Sequence, residues 1–260
     1  MKVNIIVPAH NEEQVIANCL NSIIALERPA DVEVEVLVVA DRCTDSTATI
    51  CRALGVKVLE KNTPPKSVDP ITELFDLGCI ETEGEIVGKV DADIILPKDW
   101  LWRLLLMIPP WGNTTASVSS RIKTRTRNRT SGWNINFFMQ CRDLNYCLQL
   151  HEEPRGAARL MNRRLLNYSL AGCLFYYWPS WDTCLDAEIR KTGYLSLVCP
   201  YITALEYRPD MTLRKLWAKQ VIQGRARKDR GQSFTRVLGH SLFRLRLGVL
   251  WGYFEERRTI

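Results

Sequence analysis

The sequence of 260 residues lacks most marks of a secreted, zinc-binding or membrane-spanning protein. Its nine cysteines are odd in number and never spaced as Cys-x-x-Cys, which argues against a disulfide framework or structural zinc site. Two stretches of 17 residues, 104–120 and 165–181, carry no charge, but both contain proline and polar residues and predict no transmembrane helix. The N-terminus has no apolar core of a signal peptide, so we expect a cytoplasmic protein.

Several catalytic motifs are also missing. No Gly-x-Gly-x-x-Gly follows the first predicted strand, and the sequence has no Gly-Lys-Ser/Thr loop, Gly-x-Ser-x-Gly or His-Glu-x-x-His. With only three histidines, a carboxylate is favoured over histidine as a catalytic base. What remains is a globular composition, 46% apolar and 25% charged, that can bury a core.

Charge is divided unevenly along the chain. Residues 1–120 carry 10 Lys and Arg against 18 Asp and Glu, whereas residues 121–260 carry 25 against 11. Acidic groups can bind a metal ion, and a basic surface can bind phosphate, anionic lipid or nucleic acid. The two halves are therefore expected to differ in role.

Strand and helix patterns alternate in the first half. Short apolar runs predict strands, and helical spacing of apolar residues predicts helices between them. The predicted strands are Val3–Val7, Val34–Ala40, Val56–Leu59 and Glu85–Val90. Three helices are predicted between these strands. The first follows Asn11, which is expected to cap it, the second runs from Thr44 to Leu54, and the third begins at Asp69-Pro70. This alternation predicts an α/β fold with a mainly parallel sheet flanked by helices.

The second half is less regular. Helices are predicted over Trp133–Leu150, Thr183–Thr192 and Thr212–Arg230, and a last helix from Ser233 to about Tyr253. Basic residues alternate from Arg121 to Arg129, which indicates either a solvated edge strand or a phosphate-binding face.

Polar residues follow three of the predicted strands, where ligands bind in parallel sheets. Asp91 and Asp93 form a pair of carboxylates suited to a hard cation such as Mg²⁺ or Mn²⁺, although aspartate is also common in turns. Asp41 can accept a hydrogen bond from a base or a ribose hydroxyl. Thr44 and Asp45 serve equally well as caps of the next helix.

Three segments together resemble the nucleotide-sugar motifs of family 2 glycosyltransferases: Ile6–Glu13, Val39–Thr47 and Val90–Asp93. A fourth, Trp181–Asp186, resembles the acidic acceptor-side motif of that family. The resemblance implies the GT-A fold, a UDP- or GDP-linked sugar donor, a divalent metal (Mn²⁺ or Mg²⁺) and inversion at the anomeric carbon.

The matching positions imply individual roles. The donor-binding residues are Pro8, Ala9, His10, Glu12, Asp41, Lys66, Asp91 and Ala92. Asp91 and Asp93 are the metal ligands and Asp182 the catalytic base, unless Asp182 merely caps its helix. Arg225, Arg227 and Arg230 are candidates for a cationic clamp on phosphate. The family often has Glu-Asp where this chain has Trp181-Asp182, and the Gln-x-x-Arg-Trp signature of processive synthases is absent.

These assignments divide the chain into a catalytic domain, 1–210, and a basic amphipathic extension, 211–260. Within the former, 1–120 is the nucleotide-sugar-binding half and 121–210 the acceptor-side half. The extension either lies in a membrane interface or packs on the core. We expect a peripheral enzyme at the inner face of the cell membrane, with a polyprenyl phosphate, another lipid or a glycan as acceptor and no nucleic acid partner.

Other functions fit parts of the sequence. A nucleotidyltransferase that makes nucleotide-sugars also needs a metal and a nucleotide site, but often has a glycine-rich loop where this chain has Pro8–Glu13. A nucleic-acid-binding protein would explain the basic half and leave the acidic motifs unexplained. A non-catalytic nucleotide-binding relative would not need Asp93 and Asp182.

Overall fold

A computed structural model describes residues 1–65, 70–108, 114–125, 154, 156–170, 181–208, 212–229, 231–243 and 245–255. The chain divides into two compact units. The first comprises Met1–Lys123 and Glu152–Tyr207, and the second comprises Thr124–His151 and Arg208–Ile260. The predicted helix over 133–150 lies outside the described residues.

A mixed sheet forms the first unit, and the α/β prediction is confirmed. Its strands are β1 (Lys2–Ala9), β2 (Glu33–Asp41), β3 (Lys57–Lys61), β4 (Ile86–Val90), β5 (Ile94–Ile95), β6 (Thr115–Arg125), β7 (Ala158–Asn162) and β8 (Leu195–Tyr207). Their order is β3-β2-β1-β4-β7-β6-β8-β5. The first four neighbours are parallel, and β7 is antiparallel to both β4 and β6.

The position of β6 corrects one interpretation of the basic stripe. This strand lies between β7 and β8, so it is not an edge strand. Ile122 and Thr124 are buried while Lys123 and Arg125 are exposed, as the alternation of side chains along a strand requires. Residues 126–129 of the stripe lie outside the described part of the chain.

Helices cover both faces of the sheet. They are α1 (Ile16–Ile24), α2 (Thr47–Ala53), α3 (Pro70–Ile80), α4 (Trp100–Leu105), α5 (Arg163–Leu170) and α6 (Trp181–Lys191). Successive residues of β1 enter opposite cores: Ile5 packs with the α1 side chains, and Ile6 packs with Phe75 of α3 and Leu185 of α6. Strands buried on both faces explain why the parallel part reads as continuous apolar runs.

The start of the first helix differs from its prediction. Asn11 does not cap a helix, because α1 begins only at Ile16 and Asn11 has a left-handed φ of 54°. Its side-chain oxygen instead accepts a hydrogen bond from the N–H of Thr44, at 2.8 Å. This contact draws the loop after β1 toward the loop after β2.

The second unit contains α7 (Leu213–Asp229), α8 (Phe234–Phe243) and α9 (Leu247–Phe254). The prediction of one helix from Ser233 to Tyr253 is wrong, because the chain turns between α8 and α9. Leu245 adopts a left-handed φ of 49°, which ends the helical run. Among the described residues, no helix combines the length and apolar character needed to cross a membrane.

Candidate active site

The loops that follow β1 and β2 are joined by a set of short polar contacts. The imidazole Nδ1 of His10 donates to the main-chain carbonyl of Asp41 at 2.6 Å. Backbone N–H groups of each loop donate to side chains of the other. These bonds join Thr44 to Asn11 (2.8 Å), Ser46 to Glu13 (3.1 Å), Glu12 to Thr47 (2.8 Å) and Glu13 to Asp45 (3.1 Å). These hydrogen bonds thus tie the loop after β1 to the loop after β2 at the carboxyl edge of the sheet.

Asp41 lies at the end of β2 with its carboxylate buried and charge-paired. Arg42 donates to both carboxylate oxygens, from Nε at 2.9 Å and from Nη2 at 2.5 Å. Lys61 Nζ lies 3.5 Å from the same carboxylate and 3.4 Å from Glu73. The guanidinium of Arg42 and the charge of Lys61 lower the pKa of Asp41. The group is therefore ionised at neutral pH and can accept hydrogen bonds only.

Asp91, Ala92 and Asp93 follow the buried strand β4, as predicted. The turn is closed by a hydrogen bond from Ile94 N–H to the carbonyl of Asp91, at 3.0 Å. Burial and the charges of Asp93 and Asp91 raise the pKa of the Cys19 thiol well above its usual value. Both carboxylates therefore lie near the buried thiol of Cys19 on α1.

The two carboxylates fit a hard divalent cation, which prefers oxygen ligands and often keeps water and substrate phosphates in its shell. Within the described residues, no group of three or more histidine, cysteine, aspartate or glutamate side chains is positioned to bind a metal ion. A cation held by this pair would take its remaining oxygen ligands from water or substrate phosphates.

Lys89 connects the donor-side and acceptor-side motifs. It lies in the middle of β4 with its side chain buried, and its ammonium group pairs with the carboxylate of Asp91. The same ammonium lies 5.0 Å from the ring centroid of Trp181, a cation–π distance. Trp181 in turn stacks on Phe75 at 5.8 Å. Lys89 therefore fixes Asp91 relative to the first residue of α6.

Asp182 lies in the first turn of α6, next to Trp181, and is half-buried. Its Oδ2 accepts a hydrogen bond from the N–H of Gly156 at 3.3 Å, and its Oδ1 accepts one from Thr183 at 2.9 Å. A Cβ atom added at Gly156 would come within 2.6 Å of the Trp181 ring, so only glycine fits this approach. The carboxylate is thus oriented by backbone while it still reaches solvent.

A buried ion pair attaches α6 to the sheet. Arg159 of β7 is fully buried and pairs through Nη2 with Asp186, one helical turn beyond Asp182. Its guanidinium also donates to Ser117 and, at 2.6 Å, to Ser196. Arg159 is the register partner of Lys89 on the neighbouring strand. The buried basic residues Lys89 and Arg159 are therefore neighbours, and each forms an ion pair with one aspartate.

Replacing Arg159 by methionine is expected to lower the free energy of unfolding by about 3–5 kcal/mol, since it leaves Asp186 as a buried unpaired charge. Adding Asp186→Leu removes that charge, so the double variant should be more stable than the sum of the single losses predicts. Urea unfolding of the three variants measures this. Strictly additive losses would show that the pair is not coupled.

Lys89, Arg159 and Asp186 were not predicted as site residues. The available signal was weak: Lys89 and Arg159 are single charged residues inside otherwise apolar strand segments. A charge at such a position must find a partner, because an isolated buried ion is costly. The sequence does not reveal that the partners are Asp91 and Asp186.

Other predicted residues fall elsewhere. Lys66 and Arg230 lie outside the described residues. Arg225 and Arg227 belong to α7 in the second unit, and the guanidinium of Arg225 pairs with Glu255 at 2.7 Å. The clamp of these arginines on phosphate stays a prediction.

Comparison with known families confirms the family resemblance. The model described as glycosyl transferase family 2 matches residues 4–168, more than half of the chain. The probable glycosyltransferase YdaM of Bacillus subtilis (strain 168) is 32% identical over 111 residues, which are 40% of this chain and 26% of that protein. That match spans well under two thirds of the relative.

Solved structures share the fold. Mannosyltransferase PcManGT from Pyrobaculum calidifontis, in complex with GDP-Man and Mn²⁺, has a TM-score of 0.64 at 20% identity, covering 97% of this chain and 70% of that chain. TarS from S. aureus with UDP-GlcNAc has a TM-score of 0.58 at 18% identity, covering 86% and 66%. Glucosyl-3-phosphoglycerate synthase from Mycobacterium tuberculosis, with Mn²⁺, UDP-glucose and phosphoglyceric acid, has a TM-score of 0.51 at 19% identity, covering 85% and 77%. The fold of this chain is thus similar to GT-A glycosyltransferase structures.

Proposed function

We propose that this chain, which belongs to glycosyl transferase family 2, moves a sugar from a nucleotide-diphospho-sugar to an acceptor with inversion at the anomeric carbon. The observation that carries the proposal is the convergence of three polar loops at the carboxyl ends of β2, β1 and β4. Ligands bind at this edge in parallel sheets. The ionised Asp41 and the Asp91–Asp93 pair supply an acceptor for a base N–H and ligands for a metal-bound diphosphate.

The donor binds to the hydrogen-bonded loops that follow β1 and β2. Pro8 and Ala9 are buried at the end of β1, and His10 and Glu12 follow them where the two loops are joined. Asp41 accepts a hydrogen bond from the base, and Asp91 with Ala92 faces the ribose. Lys66, which lies outside the described residues, is proposed as a further donor-binding residue. The base is uracil or guanine, in keeping with the UDP- and GDP-sugars in the similar structures.

Asp93 and Asp91 would hold Mn²⁺ or Mg²⁺. When bound, the cation neutralises the negative charge that develops on the leaving diphosphate. Two of the similar structures contain Mn²⁺, which supports this cofactor. Because Lys89 pairs with the carboxylate of Asp91, Asp93 would be the stronger metal ligand.

Asp182 acts as the base. The acceptor hydroxyl oxygen attacks the anomeric carbon and transfers its proton to Asp182, while the bond from that carbon to the β-phosphate oxygen breaks. The bonding electrons leave with the nucleoside diphosphate, and one displacement inverts the configuration. The N–H of Gly156 holds the carboxylate, and Lys89 with Trp181 fixes its distance from the donor side. An acceptor that is already an ionised phosphate needs this base far less.

The acceptor is a polyprenyl phosphate, another lipid or a glycan, and the enzyme acts at the cytoplasmic face of the membrane as a peripheral protein. Support comes from the second unit, where residues 208–258 carry 13 Lys and Arg against 4 Asp and Glu. Such a surface is attracted to anionic lipid. The nucleotidyltransferase alternative is disfavoured by the family match, and the same match accounts for the acidic motifs that nucleic acid binding leaves unexplained.

Product analysis tests the proposal. The protein is incubated with Mn²⁺ and a panel of UDP- and GDP-sugars, with and without a polyprenyl phosphate. We expect acceptor-dependent release of nucleoside diphosphate from one donor, and NMR of the product should show the opposite anomeric configuration to that of the donor. Formation of pyrophosphate from a nucleoside triphosphate and a sugar phosphate would instead identify a nucleotidyltransferase.

A further inference from the structure

Apolar side chains are unusually exposed in the second unit. Nine of the fifteen exposed large apolar residues in the described part of the chain lie between Leu213 and Phe254. They are Leu213, Trp217, Ile222, Phe234, Leu242, Leu245, Leu247, Trp251 and Phe254. Exposed apolar residues scattered singly need no explanation, but their concentration in the segment from α7 to α9 indicates an interaction surface.

Helix α9 is the centre of this concentration, because it has no charged residue and no polar face. Gly248, Val249 and Gly252 are its buried side. On the opposite side, Leu247, Trp251 and Phe254 recur at helical spacing and are 54%, 61% and 59% exposed. A helix that is apolar all round is normally buried. We therefore expect the outer face of α9 to be covered by a binding partner or a membrane.

The inner face of α9 is locked against α7. A Cβ atom added at Gly252 would collide with the carbonyl of Val221, and one added at Gly224 would collide with the carbonyl of Val249. Gln220 accepts a hydrogen bond from the N–H of Gly248 at 3.1 Å, which satisfies the start of α9. Backbone contact this close leaves α9 no freedom to turn its outer face inward.

The C-terminal end of α9 is held as well, because Arg225 of α7 pairs with Glu255. The hydroxyl of Tyr253 donates to the carbonyl of Gln232 at 2.7 Å, and the ring of Phe254 lies 5.2 Å from that of Phe234 at the start of α8. Aromatic residues of α8 and α9 therefore form one continuous exposed cluster.

We infer that the outer face of α9, with Leu247, Trp251 and Phe254, inserts into the interface of an anionic lipid bilayer. A second copy of the chain is a poorer occupant, since 13 basic residues against 4 acidic ones in 208–258 would repel their own kind. The same charge attracts anionic headgroups, and exposed Arg214, Lys215, Lys228 and Arg236 lie on α7 and α8. Eight residues rise about 12 Å, so α9 lies in the interface and does not span it.

This inference deepens the membrane part of the proposed function and is tested without measuring sugar transfer. The full chain is sedimented with vesicles of phosphatidylcholine, with and without phosphatidylglycerol. We expect sedimentation with the anionic vesicles only, weakened by salt. Trp251→Ala with Phe254→Ala should lower the partition coefficient at least about tenfold, because two aromatic side chains that would move from water into the bilayer interface are removed.

Tyr201→Ser is the matched control, since it removes an exposed aromatic residue of β8 in the first unit and should leave vesicle binding unchanged. If the double variant fails to fold, Leu247→Ser gives the same test without touching the aromatic cluster. Equal sedimentation of variant and wild type would overturn the inference. So would a dimer, seen by light scattering without vesicles, that the variant converts to monomer.

Nucleotide binding separates this inference from the enzyme proposal. The rise in melting temperature caused by a nucleoside diphosphate with Mn²⁺ should be the same in the double variant and in wild type. If vesicle binding is lost but this rise is retained, the proposed enzymatic function is unaffected. If the protein binds vesicles but no nucleotide raises its melting temperature, the lipid-binding surface is supported and the proposed enzymatic function is contradicted.

Discussion

Replacing Asp93 by asparagine is expected to reduce sugar transfer by about 10³-fold or more, because a catalytic metal supplies several kcal/mol of transition-state stabilisation. The change keeps the shape of the side chain and removes one of two carboxylates after β4. The free energy of unfolding should stay nearly unchanged, since the turn is closed by backbone atoms of Asp91 and Ile94. Turnover in the presence of Mn²⁺ and urea unfolding measure the two effects.

Asp99→Asn is the matched control for this prediction. Asp99 lies six residues further along and pairs with Arg103 on the surface of α4, at 2.6 Å. Such exposed pairs contribute little to stability, so transfer and stability should both stay close to wild type. An Asp93→Asn enzyme that keeps full activity in EDTA would show that no metal is bound at this pair.

Replacing Asp182 by asparagine is expected to lower kcat by about 10²–10⁴-fold while the KM for the donor changes little, because proton transfer belongs to the transition state. The amide keeps one oxygen for the N–H of Gly156, so α6 should retain its position. Steady-state kinetics with a hydroxyl acceptor give the split between kcat and KM.

Glu188→Gln serves as the control, since Glu188 lies on the same helix and pairs with exposed Lys191. It should leave kcat unchanged. A collapse of donor affinity in Asp182→Asn would reassign that residue to donor binding. If neither kcat nor KM moves, Asp182 only supports its helix or the acceptor is a phosphate that is already ionised.

The sheet edge was predictable because its signals are local. Strands β1, β2 and β4 read as apolar runs, and each ends in polar residues that the topology brings to one edge. Asp41 is confirmed as the last residue of β2, and Asp91 as the first residue after β4. Hydrophobic periodicity, with the rule that ligands bind at the carboxyl ends of parallel strands, therefore leads from sequence to this group of loops.

The rest depends on contacts between distant residues. Neither the pairing of Lys89 with the Trp181 ring nor that of Arg159 with Asp186 leaves a pattern in the sequence. The turn at Leu245 was missed for a related reason. Residues 233–253 keep helical spacing throughout, so the sequence does not show a break. The turn at Leu245 allows α9 to pack closely against Gly224, which lies on another helix, α7.

The melting temperature in the presence of UDP or GDP tests most directly whether the loops after β1, β2 and β4 form a metal-dependent nucleotide site. With Mn²⁺ we predict a clear rise with one of the two nucleotides, since a ligand at one hundred times its Kd adds about 2.7 kcal/mol to stability. EDTA or Asp93→Asn should abolish that rise. A melting temperature that neither nucleotide raises above that of the protein alone, whether or not Mn²⁺ is present, would contradict the account.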